Sequence, residues 1–422
     1  MWVESGTSRR TRAHPPLGPG DRSIPESRSF LKLFSEALSA LAFNFLGLLA
    51  GIVFATFIGL FSTTSWGLRA YPCVLTVRGM IGGMVCGRLS SGLWLGTIRP
   101  RLLGNTEEFK TIYEVALVMS AFSSLMMSLI IWSYGLPHGA DVRAALEIAS
   151  TMTSTMAFSF LITMPIPALA AFMAFKHGVN PDVVTYPIGS TSSDVLVTCC
   201  YAGSLALSSL GLPGLLLRGA LGLVFLIAGV FVFLLHRQDT SFRRTLKEGL
   251  LASFIAISIS GLTGVLLADI AESIGLWPGL CMVYPALMST MGDVGSIVGS
   301  TATTKLFRGE LRPGPRAVVE HMREILATLA ASTLIFMAYA FLSMPYPPPK
   351  GLGPLFLVAA LMATNIMAFW AVVLLSLSAG IATYRFGLNP DNFVIPIESS
   401  ATDAITTLAL LLSLSLFVGP IA

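Results

Sequence analysis

The sequence is short of charge. Asp, Glu, Lys and Arg supply only 11% of its 422 residues, and the formal net charge is +4. Soluble domains carry roughly a quarter charged residues, so a water-soluble enzyme is a poor fit, and a balance this weak does not mark a nucleic-acid-binding surface. Cysteine is scarce as well. Cys73, Cys86, Cys199, Cys200 and Cys281 show no CxxC spacing and fall mostly inside apolar runs, which argues against a thiolate metal site or a redox pair and leaves them as small hydrophobes. There is no Walker-type phosphate loop, and no histidine has a metal-binding neighbour four residues on, so neither ATP hydrolysis nor a His-based zinc site is written here. The basic, Pro-, Gly- and Ser-rich residues 1–30 lack the short apolar core and small-residue cleavage site of a secretory signal; they read as a flexible cytoplasmic tail.

Hydrophobic residues make up 54% of the chain, and the mean hydropathy is +0.77. Eleven stretches are long and apolar enough to span a bilayer, in round limits 36–61, 71–97, 111–136, 143–175, 183–210, 213–235, 248–275, 279–305, 320–344, 354–384 and 392–419. Each reaches the ~20 residues that a membrane helix requires. The fourth is too long for one straight span, and Pro165 and Pro167 predict a break in it. Lysine and arginine concentrate on one side of the spans, Arg99, Arg101, Lys110, Arg243, Arg244, Lys247, Arg308 and Arg312 among them, against Arg69, Arg143, Arg218 and Lys350 on the other. The expectation is a multi-pass protein of the cell membrane with a cytoplasmic N-terminus and an extracellular C-terminus.

The chain repeats itself. Residues 180–194 read NPDVVTYPIGSTSSD and residues 389–403 read NPDNFVIPIESSATD, while YPCVLTVRGMIGGMVCGRLSSGLWLG (71–96) aligns with YPALMSTMGDVGSIVGSTATTKLFRG (284–309). Glu36 pairs with Glu248, and Glu114 with Glu324. These pairings define a tail (1–30), a first five-helix repeat (31–210), a linker helix (211–240) and a second five-helix repeat (241–422). An odd number of helices would invert the second copy, and the unpaired linker helix restores it. The predicted architecture is an all-α polytopic membrane protein with two parallel repeats about a pseudo-twofold axis along the membrane normal, and such duplication commonly puts a transport site between the repeats.

Asp194 and Asp403 fall near the middle of the fifth helix of each repeat, about 17 Å in from its start at ~1.5 Å per residue. A carboxylate at that depth costs at least ~2.5 kcal/mol and normally faces a partner, a cavity or an ion path. Ser190, Asp194 and Thr198 share a helix face, as do Ser399, Asp403 and Thr407. Such oxygen-rich stripes suit a hard divalent cation that keeps part of its water. The competing reading pairs the acids with Arg78 or Arg88, which have no basic counterparts in the second half.

Asp293, in MGDVGS, is a third, asymmetric candidate because its repeat partner is Met80. Gly79, Gly82, Gly292 and Gly295 read as close-packing sites or as exposed backbone oxygens, and Asp182 and Asp391 read as helix-start acids. Glu398, replaced by Gly189 in the first half, either lines an inner vestibule or reaches back to the interface. Glu114 and Glu324 stand at helix starts, as cation collectors at a mouth or as ordinary capping acids.

The five-helix unit, with a proline- and glycine-bearing second helix and a fifth helix of the form NPDxxxxPIxSSxTD, resembles the membrane domain of the MgtE-type magnesium transporters. Its tandem arrangement resembles solute carrier family 41. The resemblance implies magnesium as transported substrate, no cofactor, and fifth-helix aspartates that bind the ion, here Asp194 and Asp403. Where that family has Gly-Gly-Asn in the second helix, this chain has Met291-Gly292-Asp293 in one copy and Arg78-Gly79-Met80 in the other. Bacterial members add magnesium-sensing cytoplasmic domains, for which this sequence leaves no room, so feedback is expected from the membrane part or a partner.

The reading is therefore a single-chain pseudo-dimer in the lipid bilayer that moves a divalent cation, magnesium first. Its alternatives are a sodium- or proton-coupled exchanger and, from another class, an intramembrane aspartyl enzyme or sensor. The YD and GxGD settings of such enzymes are missing, because Ser193 and Thr402 precede the two acids.

Overall fold

The computed structural model describes residues 29–138, 141–177, 181–274, 277–314, 316–346, 355–386 and 390–418. Among these there is no strand. The first hydrophobic stretch forms two helices, α1 (Phe30–Ala42) and α2 (Gly47–Phe61), joined by a single 3₁₀ turn at Phe43–Leu46. Helices α3 (Gly67–Trp94), α4 (Glu107–Gly135), α5 (Val142–Thr163), α6 (Pro165–Lys176) and α7 (Pro181–Ala206) complete the first half. The predicted proline break lies between α5 and α6, at Met164, where Pro165 withholds a backbone N–H and biases the preceding residue against continuing the helix.

Helix α8 (Leu212–His236) is the linker, and α9 (Thr240–Ile274), α10 (Pro278–Arg308), the short α11 (Ala317–Glu320), α12 (Met322–Ser343), α13 (Phe356–Phe386) and α14 (Pro390–Val418) form the second half. Ten candidate spans among the described residues are long and apolar enough to cross a membrane. The eleventh expected span corresponds to α10, which has the length at 31 residues but carries Asp293 and a run of Gly, Ser and Thr that dilutes its hydropathy. The side chains of Asp182 and Asp391 lie outside the described residues.

The two halves trade their first helices. Helix α2 packs on α10 of the other half as well as on α7 of its own, and α1 lies along α12. Reciprocally, α9 packs on α3 and α4 of the first half and on its own α14. The contacts close a ring in the order α3, α7, α2, α10, α14, α9 and back to α3. Among the described residues, helices opposite one another across this ring make no extensive contact.

Two glycines make the exchange possible. A Cβ on Gly51 would stand 1.7 Å from the Met282 carbonyl oxygen, and one on Gly264 would stand 1.8 Å from the Arg69 carbonyl oxygen. Those four residues are repeat equivalents, so the same backbone-on-backbone crossing is built twice. Small residues at such crossings let membrane helices approach closely, where van der Waals contact rather than hydrophobic burial drives packing.

The linker helix packs on α4 and α5 and leaves Leu216, Leu223, Val224, Ile227 and Phe231 exposed, as a lipid-facing surface requires. Its Arg218 is turned inward, 1% exposed, and donates to Thr151 and to the Gly214 carbonyl.

Replacing Gly51 or Gly264 by Ala forces a helix to shift and is expected to cost about 1–3 kcal/mol, read as a lower unfolding temperature of the purified protein. Gly59→Ala, on the same helix as Gly51 but with nothing within 4 Å of the added carbon, is expected to leave that temperature unchanged or slightly raised. Equal losses at all three positions would contradict the crossing.

Candidate functional site

Asp194 and Asp403 sit on α7 and α14, which stand opposite each other in the ring. Both side chains are half-buried, and Asp403 lies within electrostatic reach of Asp194. Among the described residues neither carboxylate forms an ion pair or accepts a protein hydrogen bond. The two arginines that could have neutralised them are engaged elsewhere: Arg78 donates to Thr163 and Arg88 donates to Thr245 Oγ1 at 2.9 Å. Acids so far along their helices call for water, a cation or a bound proton beside them.

The same scaffold holds each acid in place. Thr198 Oγ1 donates to the Asp194 carbonyl at 2.6 Å and therefore accepts from the Tyr71 hydroxyl, 3.1 Å away. In the second half Thr407 Oγ1 donates to the Asp403 carbonyl at 2.8 Å and accepts from the Tyr284 hydroxyl at 2.9 Å. Both threonines are fully buried. Their hydroxyl protons are spent on the backbone that carries the acids, which makes them positioning groups. Ser190 and Ser399, one turn before the acids, are half-buried and exposed respectively, so their hydroxyls remain accessible.

The tyrosines of the two Tyr-Pro pairs meet a shared aromatic wedge. Phe54 of α2 stacks on Tyr71 with centroids 4.3 Å apart and planes 2° from parallel, and it lies 6.3 Å from Tyr284. Phe61 and Tyr201 extend the cluster, and Tyr201 donates to the Gly67 carbonyl at 2.5 Å. All five rings are buried.

Asp293 lies on α10 and has a partner of its own. Its Oδ2 accepts from the Asn44 amide at 2.8 Å, and Asn44 belongs to the 3₁₀ turn that breaks the first span. The repeat-equivalent place is filled by Met80, whose sulfur lies 3.9 Å from Ser253 Oγ, so the asymmetry read at this position extends to its partners. Glu398 accepts from Ser376 Oγ and lies against Gly295 and Gly299. Asp403 is five residues beyond Glu398 on α14, a rise of about 7.5 Å. Among the described residues no three His, Cys, Asp or Glu side chains gather as a metal cage.

Sequence reasoning missed Asn44, because nothing local in LAFNFLG ties it to an acid 249 positions away. It also gave the histidines no role. His236 Nε2 lies 3.5 Å from Glu114, and His321 Nδ1 lies 3.6 Å from Glu324, which also pairs with Lys305 at 2.5 Å. The helix-start acids of the two halves thus each have a basic neighbour.

A family model described as the MgtE divalent cation transporter matches residues 71–204 and 284–413. This chain belongs to the MgtE family. The two matches fall one in each half and begin at the Tyr-Pro pairs of α3 and α10, so the exchanged first helices lie outside both. No curated protein and no solved structure matches the chain. As a divalent cation transporter of the MgtE type, the protein crosses the membrane several times, and the acid-bearing α7 and α14 fall largely within the matched segments.

The tyrosine–threonine bonds can be tested as a double-mutant cycle. Thr198→Val leaves the buried Tyr71 hydroxyl without its acceptor and is expected to cost about 1–3 kcal/mol, most of which Tyr71→Phe in the same chain restores. Simply additive losses in unfolding temperature would show that the two groups do not depend on each other.

Proposed function

We propose that this MgtE family member carries Mg2+ along the centre of the six-helix ring, with Asp194 and Asp403 binding one partly hydrated ion between them. The observation that carries this reading is the pair of unneutralised carboxylates on opposite helices of the ring, in a chain whose family moves divalent cations. Magnesium holds its inner waters tightly and takes one or two carboxylates rather than a complete protein cage, which suits two acids without a third ligand cluster. Ser190 and Ser399 line the same faces and would hydrogen-bond to ion-bound water. Thr198 and Thr407 would serve by fixing the backbone at each acid.

Asp293, with Asn44 on one oxygen, and Glu398 would form further acidic stations deeper along the second half. With the N-terminus in the cytoplasm and the C-terminus outside, a negative-inside potential would favour inward movement of a divalent ion by about 4.6 kcal/mol per 100 mV. Uptake then needs no ATP and no cofactor. The 31–210, 211–240 and 241–422 units would act together as a single-chain pseudo-dimer.

Purified protein in liposomes should take up Mg2+ down its gradient without added sodium, and Asp194→Asn or Asp403→Asn should each reduce uptake by at least about tenfold, the scale of one lost charge interaction of ~1.4 kcal/mol or more. Flux that appears only with a sodium or proton gradient would replace the channel-like reading with a coupled exchanger. Undiminished flux in both variants would remove the acids from the path, and peptide cleavage independent of divalent ions would favour the aspartyl-enzyme reading.

A further inference from the structure

We propose that the first half contains a binding site for a small monovalent inorganic anion of chloride size, built around Arg78 and adjoining the proposed cation path. Arg78 is 0% exposed. One terminal nitrogen donates to Thr163, while Nε and Nη1 have no hydrogen-bond partner. The side chain lines a small cavity whose walls include Gly79, Gly82, Gly189 and the hydroxyl-bearing Ser190 and Ser193. A guanidinium cannot shed its charge, and a buried one without a counter-charge is strongly destabilising. Among the described residues the ionisable groups around it are Cys200, Cys86 and Tyr113, none of them a carboxylate.

The second half indicates what belongs there. By the repeat alignment Gly189 is the counterpart of Glu398, Gly82 of Gly295 and Cys86 of Gly299. In the second half the Glu398 carboxylate occupies this place, against Gly295 and Gly299 and held by Ser376. In the first half the carboxylate is missing from the sequence, an arginine stands where the second half has Met291, and a cavity lies beside it. The chain thus supplies a fixed negative charge in one repeat, and in the other a fixed positive charge whose unpartnered donors belong to a residue lining a cavity. A halide ion matches this donor set: two guanidinium N–H groups, with serine hydroxyls and glycine backbone lining the rest. Its chemistry is opposite to that of Asp194, one turn beyond Ser190, so anion occupancy would also offset the repulsion that Arg78 exerts on a cation nearby.

The test is thermal unfolding of the purified full chain in sodium chloride, sodium bromide and sodium gluconate at equal ionic strength. Chloride and bromide are expected to raise the unfolding temperature by at least about 2 °C over gluconate. The difference should vanish in Arg78→Gln, which keeps polar donors without the charge. It should also vanish in Gly189→Glu, which supplies the carboxylate from the chain; the nearest atom to the added carbon there is the Cys86 sulfur, at 3.1 Å. Should one variant fail to fold, the other still carries the comparison, and bromide anomalous scattering beside Arg78 in wild-type crystals provides an independent reading. No halide effect in the wild type, or one that persists undiminished in Arg78→Gln, would overturn the proposal.

Discussion

Everything at the centre of this molecule depends on two backbone contacts, Gly51 on the Met282 carbonyl and Gly264 on the Arg69 carbonyl. They let the first helix of each half cross the second helix of the other half at a distance no side chain would permit. Because the exchange is reciprocal, the halves cannot separate without breaking both crossings, and α7 and α14 are held apart on opposite sides of a ring. Had each half kept its first helix to itself, nothing in the contact pattern would space the two acid-bearing helices.

Symmetry and its failures divide the labour. The repeated elements are structural and precise in chemistry: Tyr-Pro, the threonine one turn after each acid, and the acid itself. The unrepeated ones make the charge of the two halves unequal. Asp293 with Asn44 and Glu398 with Ser376 add acids to the second half, while the first half has Met80, Gly189 and a buried Arg78 in the corresponding places. The second half is therefore the more acidic of the two, and along the proposed path it would be the half that guides a cation.

Much of this was legible in the sequence for physical reasons. Spans are set by the thickness of hydrocarbon, so hydropathy found them; the break between α5 and α6 followed from proline's missing donor; and Asp194 and Asp403 stood out because buried charge is rare in apolar helices. Other features depend on contacts between distant segments. The turn at Phe43–Leu46 contains neither proline nor glycine, so no local signal marks it, and its purpose becomes visible only when Asn44 is seen beside Asp293. Gly51 and Gly264 look like any other glycine in a membrane helix until the partner carbonyls are known. The exchange of first helices leaves no trace in periodicity, because helices facing one half or the other bury the same kind of residue.

The central claim is that the two repeats build one ion site and not two. Calorimetric titration of the purified chain with Mg2+, in wild type and in the Asp194→Asn and Asp403→Asn variants, tests it most directly. A shared site predicts one ion lost in full from either variant, since each acid is half of the same ligand set. Retention of that ion in one variant, or two ions in the wild type with a single one lost per substitution, would contradict it.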